Sequence, residues 1–273
     1  MSVCDRRCFL LTTGALAASA ASESAATPRR RVGSFLVTAP GGDPDRLARV
    51  LEAASLEELE AEMGRVLDVS PPAEQIRAIV YPSRGAHRAA VARLSGGAPH
   101  RRALYVQDRG AAVILAYQHD ELALDLRHEG AHALLHADLP MVPLWLDEGL
   151  ASYFQEPSGL RAAGGSHHRP LINDLRKGRM VSVAELENRK GLRELSLRDY
   201  RFAWGWVHYL LHGPRPATEA LWRTLSDIRR RQPPRPLSAL LADVAPQPEA
   251  ALRRHLLAEW PRRLADARTK RRG

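Results

Sequence analysis

The chain has 273 residues, 45% of them apolar, and carries 40 Lys and Arg against 31 Asp and Glu, a formal charge of +9. That length and apolar content can bury a sizeable core, which excludes a disordered polymer and favours one unit of two lobes over independent domains. Its two cysteines, Cys4 and Cys8, both lie near the N-terminus, so no disulfide framework braces the rest.

Arg6-Arg7-Cys8-Phe9-Leu10-Leu11 opens a short run of apolar and small residues that ends near Ala20. A charged start followed by such a run is expected to be a secretory signal peptide, assigned to residues 1–26, and it is too short to span as a stable membrane helix. Ala18-x-Ala20 is the first cleavage candidate and Ser24-x-Ala26 the second. The adjacent arginines resemble a twin-arginine signal, which implies export of a folded protein to the periplasm or beyond. No other stretch approaches 18 consecutive apolar residues, so no transmembrane segment is expected after signal removal. Without residues 1–20, 38 basic and 30 acidic side chains remain, and the basic ones are nearly all arginine. Runs such as Arg29-Arg30-Arg31 and Arg229-Arg230-Arg231 read as solvated faces and tails. Attraction to anionic cell-envelope polymers is the second reading of the charge, and nucleic acid is not an expected partner of an exported chain.

Beyond the signal, Ser34 to Thr38 reads as a strand, Pro44 to Leu67 as one amphipathic helix, and Ile76 to Tyr81 as a second strand. A short helix over Ala86 to Leu94 precedes strands at Arg102 to Gln107 and Ala111 to Tyr117, with Asp108-Arg109-Gly110 as a hairpin-type turn. The next helix contains His128-Glu129-Gly130-Ala131-His132 and can extend only to Leu139, because Pro140 and Pro143 cannot continue it. Residues i and i+4 share a helix face, so His128 and His132 can point ring nitrogens at one metal ion, with Glu129 beside them to act as a general base. A second helix opens near Trp145. Its Glu148 stands 16 positions after His132, a distance that a short Pro-bounded loop can close, and it supplies a third zinc ligand that leaves the fourth position open. Asp138 and His136 are the competing third ligands. Asp138 lacks the turn that the longer zincin motifs use, because Leu135 stands where they have glycine. His136 lies one helical turn, roughly 6 Å, further from the metal.

His128-Glu129-x-x-His132 followed by Pro143-Leu144-Trp145-Leu146-Asp147-Glu148-Gly149-Leu150-Ala151-Ser152-Tyr153 resembles the gluzincin zinc metallopeptidases of the peptidase MA-like superfamily, most closely their small exported bacterial members. The resemblance runs from about Ser34 to Leu211. It implies a zincin-like α+β fold, with a mixed sheet and the His-Glu-x-x-His helix in an N-terminal lobe (residues 32–160) and a helical C-terminal lobe with a basic tail (residues 161–273). It further implies one zinc ion held by His128, His132 and Glu148, Glu129 as general base, and a peptide or protein substrate. In this pattern the strand before the ligand helix is the sheet edge beside the cleft, so Val113 to Ala116 would pair with an extended peptide.

The segment Glu156 to Pro170 reads as a loop with His167 and His168 exposed. Helices are then expected over Arg198 to His212, Thr218 to Arg231 and Glu249 to Arg268, with Trp204, Val207 and Leu211 as a core stripe. Tyr200-x-x-x-Trp204 is similar to a segment downstream of the glutamate ligand in the bacterial members. Hydrolysis needs a donor for the tetrahedral oxyanion, and Tyr200 is the first candidate, with His208 and Tyr209 as rivals on the same helix. The competing reading of the whole chain is a zincin-fold protein of weak or no activity that binds peptides or envelope polymers.

Overall fold

A computed structural model describes residues 27–95, 101–108, 111–161 and 165–261. The expected signal peptide (residues 1–26) and the turn residues 109–110 lie outside them. The chain is α+β and divides between Asp138 and Leu139 into two compact units. No helix among the described residues is long and apolar enough to cross a membrane.

The first unit is built on a five-stranded mixed sheet of β1 (Arg29–Val32), β2 (Phe35–Thr38), β3 (Ile76–Tyr81), β4 (Ala103–Asp108) and β5 (Ala111–Tyr117), in the order β1-β2-β3-β5-β4. The pairs β2/β3 and β3/β5 are parallel and the two outer pairs antiparallel. Strand β5 is therefore interior, and the expectation that Val113 to Ala116 form the sheet edge is corrected: the edge on that side is β4. Both sides of the β5 backbone are already paired, and its four central residues are buried, as befits a continuous apolar run in a central strand. Strand β1 was not expected. All three of its arginines are exposed, so it carries no apolar alternation to read.

Side chains alternate across the sheet, and each face receives its own helices. Val91 of α3 (Arg84–Ser95) packs with Val106, Val113 and Leu115 on one face. On the other lie α1 (Pro44–Ala54), α2 (Leu56–Leu67) and α4 (Leu122–Asp138), with Gly130 of α4 set so close to Phe35 and Leu59 that an added Cβ would stand 3.2 to 3.3 Å from their side chains. The single helix expected over Pro44 to Leu67 is broken at Ser55, whose φ of 44° and ψ of 54° are left-handed. At the break the fully buried Arg127 of α4 reaches two backbone carbonyls, one of which, that of Ser55, also accepts the Leu59 N–H. Its Nη1 donates to the oxygens of Ala54 (2.9 Å) and Ser55 (3.1 Å), and its Nη2 faces Glu62 Oε2 at 3.4 Å. Arg127 thereby fixes α4 against α1 and α2, because withdrawing it would leave a buried carboxylate and two carbonyls without that partner.

The second unit is helical among its described residues: α5 (Leu144–Phe154), α6 (Ser158–Arg161), α7 (Gly165–Arg176), α8 (Val183–Glu187), α9 (Leu197–His212), α10 (Arg215–Arg229), α11 (Leu237–Val244) and α12 (Pro248–Arg254), the last continued by one π turn over His255–Glu259. Helix α9 is the hub, packed by α5, α7, α8, α10 and α12. Trp204 and Val207 are buried on it as expected. The loop expected over Glu156 to Pro170 is partly α6 and α7. His167 and His168 are half-buried rather than exposed, because α7 lies on α9 and brings the His168 ring edge-on to Trp204, 6.2 Å between centroids.

Candidate metal centre

In the first unit, α4 places His128 and His132 one turn apart with their Nε2 atoms 3.2 Å from each other and their rings nearly perpendicular. Two imidazole nitrogens on a tetrahedral zinc, each about 2.0–2.1 Å from the ion, stand about 3.3 Å apart. The spacing of the pair fits that edge. His132 is buried and His128 half-buried, so the two nitrogens meet in a partly desolvated place. His136, one turn on, presents its ring 6.1 Å from that of His132 and takes the edge of Tyr105 at 5.4 Å. Asp138 is the last residue of α4.

Glu129 is 6% exposed, and its Oε2 accepts the backbone N–H of Tyr105 at 2.7 Å. Tyr105 lies on β4, whose edge faces away from β5. Its ring also stacks parallel to His132, 6.5 Å between centroids. The edge strand therefore orients the carboxylate beside the two imidazoles.

In the second unit, Glu148 is the fifth residue of α5 and is buried, as is Asp147. Gly149 follows it and meets α9: a Cβ there would stand 2.8 Å from the Ala203 carbonyl oxygen and 2.9 Å from Val207 Cγ2. The Glu-Gly pair thus puts the carboxylate on a helix pressed backbone to backbone against α9. Tyr200 is half-buried in the first turn of α9, one turn before Ala203. That turn is held by a capping box, in which Ser196 Oγ accepts the Asp199 N–H (3.2 Å) and Asp199 Oδ2 accepts the Ser196 N–H (2.8 Å). The rivals lie elsewhere. His208 is 1% exposed and bonded to His255, and Tyr209 packs against Trp206 and His255, so both rings sit in the interior of this unit.

Each unit thus contributes groups that can ligate a metal, His128 and His132 from α4 and Glu148 from α5. What the sequence did not disclose is the Tyr105 N–H on Glu129, since a backbone donor can come from any residue type. No known protein family matches the chain, and no curated protein matches it at a significant level.

Proposed function

We propose that the chain is an exported zinc-dependent metallopeptidase of gluzincin type, with His128, His132 and Glu148 holding one zinc ion. The observation that carries this reading is the 3.2 Å approach of the His128 and His132 Nε2 atoms, the edge length of a tetrahedral zinc site. The three residues are a donor set that could hold a metal ion; His132, His136 and Asp147 are another. The wider 6.1 Å separation of the His132 and His136 rings, against 4.9 Å for His128 and His132, favours the first. Zinc, when bound, supplies the Lewis acid that acidifies water and polarises the scissile carbonyl. Glu129 takes the proton of the attacking water and passes it to the leaving amine nitrogen. The edge-strand N–H of Tyr105 holds that carboxylate in place before substrate arrives, and the Tyr200 phenol donates to the oxyanion of the tetrahedral intermediate. Export rests on Arg6-Arg7 and the apolar run that follows.

The test is metal content and cleavage of a mixed peptide library. Protein recovered from outside the cytoplasm, its N-terminus shortened, is expected to hold about one zinc per chain and to cut the library. Glu148→Ala should lose most of the metal, whereas Asp138→Ala, His136→Ala and Asp147→Ala should retain it. Zinc kept in Glu148→Ala and lost in Asp138→Ala would replace the third ligand. An unshortened product confined to the cytoplasm of its native host would remove export from the proposal. Zinc-loaded protein that binds peptides and cuts none would leave the reading of an inactive peptide-binding zincin.

A further inference from the structure

The second unit contains buried imidazoles that the chemistry above does not use. His208 of α9 and His255 of the π turn, 1% and 0% exposed, are joined Nδ1 to Nε2 at 3.0 Å. Trp260 stands edge-on to His208 at 4.5 Å and lies tilted against His212 at 4.7 Å. The titratable groups facing the pair come from four directions. Tyr153 of α5 is bonded through its hydroxyl to His212 Nε2 at 2.6 Å, and its ring lies 6.4 Å from His208. His168 approaches from α7 and Tyr209 faces His255 from α9. In the π turn, Glu259 Oε2 lies 3.9 Å from His255 Nδ1 and 3.5 Å from Arg254 Nε.

Only one proton can lie between His208 Nδ1 and His255 Nε2. If His208 donates it, His255 carries its own N–H on Nδ1, 3.9 Å from Glu259 Oε2 and outside hydrogen-bond distance of it, and His208 Nε2 is a bare lone pair. The reverse assignment would bury an N–H on His208 Nε2, an atom with no hydrogen-bond partner among the described residues. Both assignments leave His208 with one nitrogen in the bond and the other, Nε2, buried where no described residue can accept from it. A protonated His208 carries an N–H on both nitrogens, so Nε2 becomes a buried donor whichever tautomer it starts from. The added proton would create a charge with aromatic rings and other imidazoles around it and no described residue to receive the Nε2 N–H.

We propose that the His208–His255 pair is an acid-released clasp, which fastens the segment of α12 and its π turn (residues 248–260) to α9 at neutral pH and lets it go when His208 takes a proton. His255 opens the π turn directly after α12, so the bond it makes to His208 ties both parts of the segment to α9. Burial holds His208 well below the usual histidine range, and His212, His255 and His168 push it in the same direction. The released imidazole titrates near pH 6.5 and the clasped one far lower. The clasp is therefore at full strength above about pH 6.5, and it weakens as the pH falls below that value. One proton makes the opening constant rise about tenfold for each further pH unit until His208 is protonated in the closed state.

The experiment is hydrogen exchange of the full chain from pH 7 to 4.5, with rates corrected for intrinsic pH dependence. Amides of residues 249–260 are compared with those of β3 and β5. The expected result is a tenfold rise per pH unit in opening of the segment while the sheet amides stay unchanged. In His208→Phe, which keeps a ring and has no proton site, opening should be independent of pH. A wild-type segment that opens no more at pH 4.5 than at pH 7 would overturn the clasp, as would an undiminished slope in His208→Phe. Should that variant not fold, the wild-type imidazole resonances decide. Protonation of His208 in step with opening supports the clasp, and titration near pH 6.5 with the segment still closed ends it. None of these readouts depends on zinc or on peptide cleavage, so the clasp stands or falls apart from the proposed activity.

Discussion

Glu129→Gln is expected to bind zinc as the parent does, to melt at the same temperature, and to lose kcat/KM by about two to four orders of magnitude, the usual contribution of a positioned general base. The substitution is nearly isosteric, and the amide oxygen of glutamine can still accept the Tyr105 N–H, now made at 2.7 Å. The side chain therefore stays where it is and only its basicity goes. Full activity in this variant would remove Glu129 from the mechanism, and lost zinc would mean that its carboxylate belongs to the metal instead. Tyr200→Phe should fall less far, by roughly two to three orders, with metal and stability kept. His208→Gln, in contrast, is expected to lower stability, because His208 is 1% exposed and bonded within the helical core.

Gly149→Ala should destabilise the protein by about 2–4 kcal/mol. In a unit of this size that is a fall in melting temperature of roughly 5–15 °C. On helix propensity alone the sign would be opposite, since alanine is favoured over glycine by up to ~1 kcal/mol inside a helix. Packing decides, because the new Cβ would stand 2.8 Å from the Ala203 carbonyl oxygen and 3.0 Å from its carbon, and backbone cannot swing aside as a side chain can. Helices α5 and α9 would have to part. Gly130→Ala is the control: its Cβ would meet only side-chain atoms of Leu59 and Phe35 at 3.2 to 3.3 Å, which can yield by a few tenths of an ångström. Thermal melts of the two variants separate the cases. A Gly149→Ala protein that melts within about a degree of the parent would show that the close approach of α5 and α9 is dispensable.

How much of this was legible in the sequence depended on whether a feature rested on side-chain spacing. Strands β3 and β5, helix α4 and helix α9 follow from periodicity and from prolines, and their observed limits lie within a few residues of the expected ones. The convergence of His128 and His132 follows from the i, i+4 rule alone. The break at Ser55 does not, because Leu47 and Leu51 before it and Leu59 and Met63 after it keep an apolar stripe that reads as one helix. The partner of the break lies far along the chain, in the Arg127 side chain that bonds the Ala54 and Ser55 carbonyls. Strand order was equally hidden. The continuous apolar run of Val113 to Ala116 is a local sign of a strand buried on both faces, yet it does not reveal that β4 folds back to cover its edge. Helix α7 was masked by its own glycine and by Pro170, residues that ordinarily mark loops.

The edge strand β1 bears on how the molecule keeps to itself in solution. A sheet edge offers unpaired N–H and C=O groups to any passing strand, and β2 behind it hides Phe35 and Val37, each fully buried. Three successive arginines line that edge, all exposed. A second copy approaching edge to edge would bring its own three against them, and this like-charge opposition falls where two sheets would otherwise merge. Part of the chain's basic excess thereby lies along an edge of the described sheet, where like charge disfavours pairing with the same edge of another copy.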